Sequence, residues 1–123
     1  NLIPGKVKEA LDSGSRLVVE SVAGPIACAG DGRLAPGNDC MVCIRPETAE
    51  ISMSATPPEG FTSIPGVVSF PSYIGNTIRY DVDAGGIIFK VDVQNPREHQ
   101  PLSVGTKVFV RFAVTSSLGI PKE

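Results

Sequence analysis

The sequence predicts an all-β protein of two small barrel-like lobes that arose by internal duplication. Three observations carry this. Apolar and polar residues alternate at period two, as in Ile78, Tyr80 and Val82 against Arg79, Asp81 and Asp83, the pattern of a strand with one buried face. Gly and Pro number 13 and 11 in 123 residues, which favours many turns and short strands. The opening string Ile3-Pro4-Gly5-Lys6-Val7 returns as Ile64-Pro65-Gly66-Val67-Val68, an offset of 61 (64 − 3).

The same offset pairs Gly14 with Gly75, Leu17 with Ile78, Val19 with Tyr80, Gly24 with Gly85, Ile26 with Ile87 and Cys28 with Phe89. Eight identities fall in the 28 pairs from residue 1 to residue 28, and a shared offset of this length is the mark of a duplicated unit. The offset then becomes 68, which places seven extra residues (68 − 61) in the loop 94–100 and matches Leu34-Ala35-Pro36-Gly37 to Leu102-Ser103-Val104-Gly105 and Val42 to Val110. Within each copy, residues 16–22 and 78–83 read as strands. Residues 87–93 and 107–112 supply further rows, with Phe89, Val91, Val108, Val110 and Phe112 inward. Ala23-Gly24 and Ala84-Gly85-Gly86 mark tight hairpins. Short strands of this spacing suit a closed or partly open barrel, which leaves few exposed edges. Residues 1–53 are expected to form the first lobe, 54–61, with Pro57-Pro58, the linker, and 62–123 the second. A lobe of about 60 residues is marginal alone, so both are expected to fold as one unit.

Composition excludes several functions. The net charge is −2 with Lys and Arg scattered, which gives no footprint for nucleic acid or an anionic membrane. Aromatic residues are 6% with no Trp, and Phe70, Phe89 and Phe112 fall in apolar rows, so the base-stacking platform of single-strand binders is missing. No apolar run reaches the ~20 residues of a membrane-spanning helix. No leader-like segment opens the sequence, and the three cysteines are an odd count, so a reducing cytoplasm is expected. There is no Gly-x-x-x-x-Gly-Lys-Ser/Thr loop for a nucleotide. Cys40-Met41-Val42-Cys43 has metal-site spacing, yet positions i and i+3 of a strand face opposite ways, and His99 is the sole histidine. No catalytic residue, cofactor or metal is therefore expected, and the thiols read as core.

Five strings, Asn1-Leu2-Ile3-Pro4-Gly5, Leu34-Ala35-Pro36-Gly37, Ile44-Arg45-Pro46-Glu47, the run from Tyr73 to Tyr80, and Pro101-Leu102-Ser103-Val104-Gly105, together resemble the transport-associated OB domain. That is the C-terminal regulatory domain of the ATP-binding subunits of importers of the maltose, polyamine and iron type. The resemblance covers residues 1 to about 112, and the tail 113–123 departs from the family pattern. It implies two OB-like lobes, a regulatory and dimerisation role without catalysis, and a cytoplasmic place peripheral to the inner membrane. ATP and magnesium would belong to a separate ATPase domain. The implied partners are a second copy, the permease subunits through that ATPase domain, and a regulatory protein or solute. A small-oxyanion- or solute-binding module of the same fold is the alternative.

Three groups of residues are the candidates. Arg45, Pro46 and Glu47 are expected to fix the crossing between lobes by a salt bridge or cap. Met41, Phe109 and Arg111, with Cys43, form the expected outward face for a second copy. Arg97 and His99 sit in the inserted loop, a second choice for a partner contact.

Overall fold

Alternation along the chain is converted into ten strands in the computed structural model, which describes residues 1–94 and 101–122. They are β1 (Leu2–Leu11), β2 (Arg16–Ser21), β3 (Gly24–Ala29), β4 (Asp39–Ile44), β5 (Glu50–Ser52), β6 (Phe61–Ile74), β7 (Thr77–Ala84), β8 (Ile87–Gln94), β9 (Lys107–Ala113) and β10 (Ser117–Pro121). The strands form a closed barrel in the order β1-β2-β3-β10-β4 and a five-stranded sheet in the order β5-β9-β6-β7-β8. The fold is all-β with two lobes, as expected, but only the first closes completely. In the second, β8 and β5 are neighbours without a hydrogen-bonded ladder.

Each half sends its last strand into the other lobe. β10 enters the barrel between β3 and β4, antiparallel to β4 from Ser117↔Ile44 to Pro121↔Cys40. β5 pairs with β9 through Glu50↔Arg111, Ile51↔Val110 and Ser52↔Phe109. The expected boundaries at 53 and 62 are therefore crossed in both directions. The chain changes lobes at the 3-10 turns Pro46–Thr48 and Val114–Ser116, and residues 54–60 join two strands of one sheet.

The duplication is visible in matching hydrogen bonds. Val7 N donates to Asn38 O at 2.9 Å, and Gly37 N to Val7 O at 2.8 Å; Val68 N donates to Thr106 O at 2.9 Å, and Gly105 N to Val68 O at 2.8 Å. Gly37 and Gly105 share φ +92°, which favours glycine at both turns. Ladder registers refine the repeat. Ile3↔Val42 matches Ile64↔Val110, keeping 61 and 68. Val7↔Val19 matches Val68↔Val82, and Val19↔Ile26 matches Val82↔Phe89, an offset of 63 (82 − 19; 89 − 26). Leu17 thus corresponds to Tyr80, Cys28 to Val91 and Gly24 to Ile87, not to Ile78, Phe89 and Gly85. Of the seven added residues, two lie in the longer β6–β7 hairpin and five between β8 and β9.

A slip of two leaves side-chain parity intact, so the inward rows stand. Leu17, Val19, Ile26, Val42, Ile78, Tyr80, Val82, Phe89, Val110 and Phe112 are fully buried in one continuous core, and Phe89 stacks on Phe112 at 6.4 Å between ring centres. Phe70 departs from the expected apolar row and is 59% exposed. The register shifts between Val68 and Phe70; the bulge at Ser69 turns the next side chain outward.

Asn1 and Thr62, one repeat apart, clamp the lobes together in the same manner. Asn1 Nδ2 donates to Lys90 O at 2.9 Å and Lys90 N donates to Asn1 Oδ1 at 2.7 Å. Thr62 Oγ1 donates to Ala27 O and accepts from Ala27 N, both at 3.3 Å. Ala27 and Lys90 are themselves related by the offset of 63 (90 − 27).

Cys28 and Cys40 are buried and Cys43 is half-buried, all free thiols. Burial, with Cys40 alongside, pushes the Cys28 thiol up to about 11. A native-state thiol reagent at pH 8 should label Cys43 first and Cys28 last, followed by mass spectrometry of the peptides. Because the Cys28 thiol ionises at lower pH when unfolded, its contribution to stability is intact below pH 9 and falls as pH rises towards 11.

Candidate functional site

The outer faces of the sheets carry the charged residues, and the repeat sets two arginines in related places. Arg79 on β7 stands opposite Asp92 on β8. Its Nε donates to Asp92 Oδ1 at 2.7 Å and its Nη2 to Asp92 Oδ2 at 3.0 Å. Those bonds and the Asp92 charge, with Glu47 and Asp81 further off, raise the Arg79 pKa and hold it charged. Arg16 occupies the same place in the barrel (79 − 16 = 63), opposite Ala29. The residue that corresponds to Glu47 in the second 3-10 turn is Thr115 (115 − 47 = 68). The three carboxylates that act on Arg79, Asp92, Glu47 and Asp81, are thus replaced at Arg16 by Ala29, Thr115 and Val18 (81 − 63 = 18), and Arg16 makes no ion pair among the described residues.

A cleft of about 240 Å³ opens at this point, lined by Asp12, Ser15, Arg16 and Ala29 from one half and Gly60, Val114 and Thr115 from the other. Asp12 and Ser13 hold positive φ, +52° and +60°, and Ser15 Oγ donates to Asp12 O at 2.8 Å. Thr115 is exposed, and its hydroxyl makes no hydrogen bond within the described residues. An unpaired guanidinium and a free hydroxyl are donors that a small oxyanion accepts. Asp12 makes the lining neutral, so directed donors rather than net charge would hold a ligand there. The larger clefts are less suited. One of about 520 Å³ balances Lys6 and Lys122 against Glu20 and Asp39. Another, about 540 Å³, has Arg33 and Lys122, but Arg33 Nε is held by Asp31 Oδ2 at 2.7 Å. A third, about 500 Å³, has Asp83 as its charged residue.

The residues expected from sequence are distributed differently. Arg45 and Glu47 make no ion pair with each other; Arg45 precedes the turn Pro46–Thr48, and Thr48 N and Oγ1 donate to its carbonyl at 3.0 and 2.9 Å. That turn packs on β8 and carries the chain from the barrel to the second sheet. Met41 and Cys43 lie on β4 of the barrel, Phe109 and Arg111 on β9 of the second sheet, all half-buried. They lie on different sheets at positions related by the repeat, and Arg111 Nε is occupied by Glu50 Oε2 at 3.0 Å. Arg97 and His99 lie outside the described residues. Arg16 escaped notice because an offset of 61 pairs it with Thr77; an offset of 63 aligns the two arginines.

The model of the TOBE domain family matches residues 42–117, 76 of 123 positions (117 − 42 + 1). The chain belongs to the TOBE domain family. No curated protein matches its sequence. Among solved structures, the cytoplasmic molybdate-binding protein ModG, in a form with molybdate bound, superposes with a TM-score of 0.87 at 11% identity. The match covers 99% of this TOBE chain and 96% of that one. At that identity the likeness establishes the shared tandem fold. No helix among the described residues is long and apolar enough to cross a membrane.

Proposed function

We propose that this TOBE protein is a non-catalytic module that binds a small tetrahedral oxyanion of the molybdate class. The observation that carries the reading is the extent of the structural match: both lobes align with nearly the whole of a molybdate-binding chain. The cleft at Arg16 is the proposed site, with Arg16 as the charge-assisted donor and Thr115 as the second donor. Sodium molybdate, tungstate, sulfate and phosphate are each added at low ionic strength, where the charge is least screened, and the melting temperature is read. A ligand at 100 times its Kd stabilises by about 2.7 kcal/mol, so at least one anion should raise the melting temperature by several degrees. Arg16→Ala should weaken that anion by roughly 10- to 100-fold, the loss of hydrogen bonds to a charged group. No shift with any of the four would overturn the reading.

A second reading rests on Ile44-Arg45-Pro46-Glu47, a string that lies within the matched TOBE segment. It makes the chain the regulatory and dimerisation part of an importer ATP-binding subunit. Three free thiols suit the cytoplasmic setting that both readings share. Concentration-dependent self-association in sedimentation, with no oxyanion response, would favour this second role.

A further inference from the structure

We infer that Arg79 marks a second small-oxyanion site that the chain fills with its own Asp92 and Glu47, so that each chain takes up one oxyanion rather than two. The inference rests on the oxyanion reading above and extends it to stoichiometry.

The two arginines are equivalent by the ladder register, not by resemblance of surroundings. Arg16↔Ala29 and Arg79↔Asp92 are both directly opposed pairs of antiparallel strands, at the common offset of 63. The 3-10 turns are equivalent too: Pro46–Thr48 packs on β8, with the Glu47 charge felt by Arg79, and Val114–Ser116 packs on β3, with Val114 and Thr115 lining one cleft with Ala29. At Arg79 the guanidinium fork closes on two carboxylate oxygens at 2.7 and 3.0 Å, the two-point contact it would make with two oxygens of an oxyanion. The Asp92 side chain is well covered, 12% exposed, while that of Arg79 is 37% exposed, so the contact stays open to solvent on the guanidinium side. An internal carboxylate loses no translational freedom on pairing, as a free anion must, and the Glu47 charge opposes any anion that approaches Arg79. At Arg16 the same two positions are a methyl and a hydroxyl. One repels nothing and the other donates.

The test is isothermal titration with sodium molybdate, and with sodium sulfate in parallel, of four proteins. The native chain should bind one anion. The Asp92→Ala/Glu47→Thr variant should bind two, and adding Arg16→Ala to it should return the count to one, now at Arg79. The reverse variant, Ala29→Asp/Thr115→Glu, should bind none while keeping its fold by circular dichroism. Native binding of two anions overturns the inference, and so does a count of one that Asp92→Ala/Glu47→Thr leaves unchanged; in both cases the oxyanion reading stands. Absence of binding by every protein overturns both together. If Asp92→Ala/Glu47→Thr does not fold, Asp92→Asn replaces it, and the reverse variant decides: binding retained at the native affinity overturns the inference.

Discussion

Neither half of this chain will fold alone. Residues 1–53, expressed separately, should lack a cooperative thermal transition by circular dichroism, and so should residues 62–123. An equimolar mixture should regain one. The reason is the exchange of end strands: the first half supplies four barrel strands and leaves β10 missing between β3 and β4, while the second half has β10 with no barrel to enter and lacks β5. A gap in a small barrel exposes its core and leaves two edges unpaired. Each fragment is also near the size at which burial barely offsets chain entropy. A cooperative melt by either fragment alone would contradict this account.

The second large effect is steric and falls at two related glycines. Gly5 and Gly66 lie at the ends of the antiparallel β1–β2 and β6–β7 ladders, next to Lys6↔Glu20 and Val67↔Asp83. A Cβ on Gly5 would collide with Val19 Cγ1 and lie 2.7 Å from Glu20 O; on Gly66 it would lie 2.6 Å from Val82 Cγ1 and 3.0 Å from Asp83 O. Val19 and Val82 are fully buried, so neither has room to give way. Overpacking of this kind costs about 3 kcal/mol, and in a domain of this size each 1 kcal/mol lowers the melting temperature by about 4 °C. Gly5→Ala and Gly66→Ala should therefore each lower it by roughly 10 °C, measured by calorimetry. Gly24→Ala, where a Cβ meets nothing within 4 Å but φ is +114°, reports the cost of backbone strain without a clash. Equal small losses at all three would remove the steric argument.

Period-two alternation told which face of each strand is buried, and it did so even where the copies were paired two residues out of step. Leu17, Val19, Tyr80 and Val82 all face inward as expected. The pattern is silent on which sheet a strand joins, so the exchange of β5 and β10 was not legible. β10 also inverts the usual alternation: Ser117 and Gly119 face the interior, while Leu118 is 42% exposed. A Cβ on Gly119 would come within 2.8 Å of Leu17 Cδ1, so the barrel admits no larger side chain there. Ser117 is accommodated because its hydroxyl donates to Val114 O at 2.9 Å. The candidate site was hidden for a related reason. Arg16 draws attention only beside Arg79, and that comparison needs the register.

The end-strand exchange has a consequence for how such a protein can change. Two separate identical chains that traded these strands would form a symmetric pair, and any mutation would strike both of its halves together. Joined in one polypeptide, each half mutates independently. One arginine can then acquire a resident carboxylate while its counterpart stays open, a division of labour that no homodimer encoded by a single gene copy can reach.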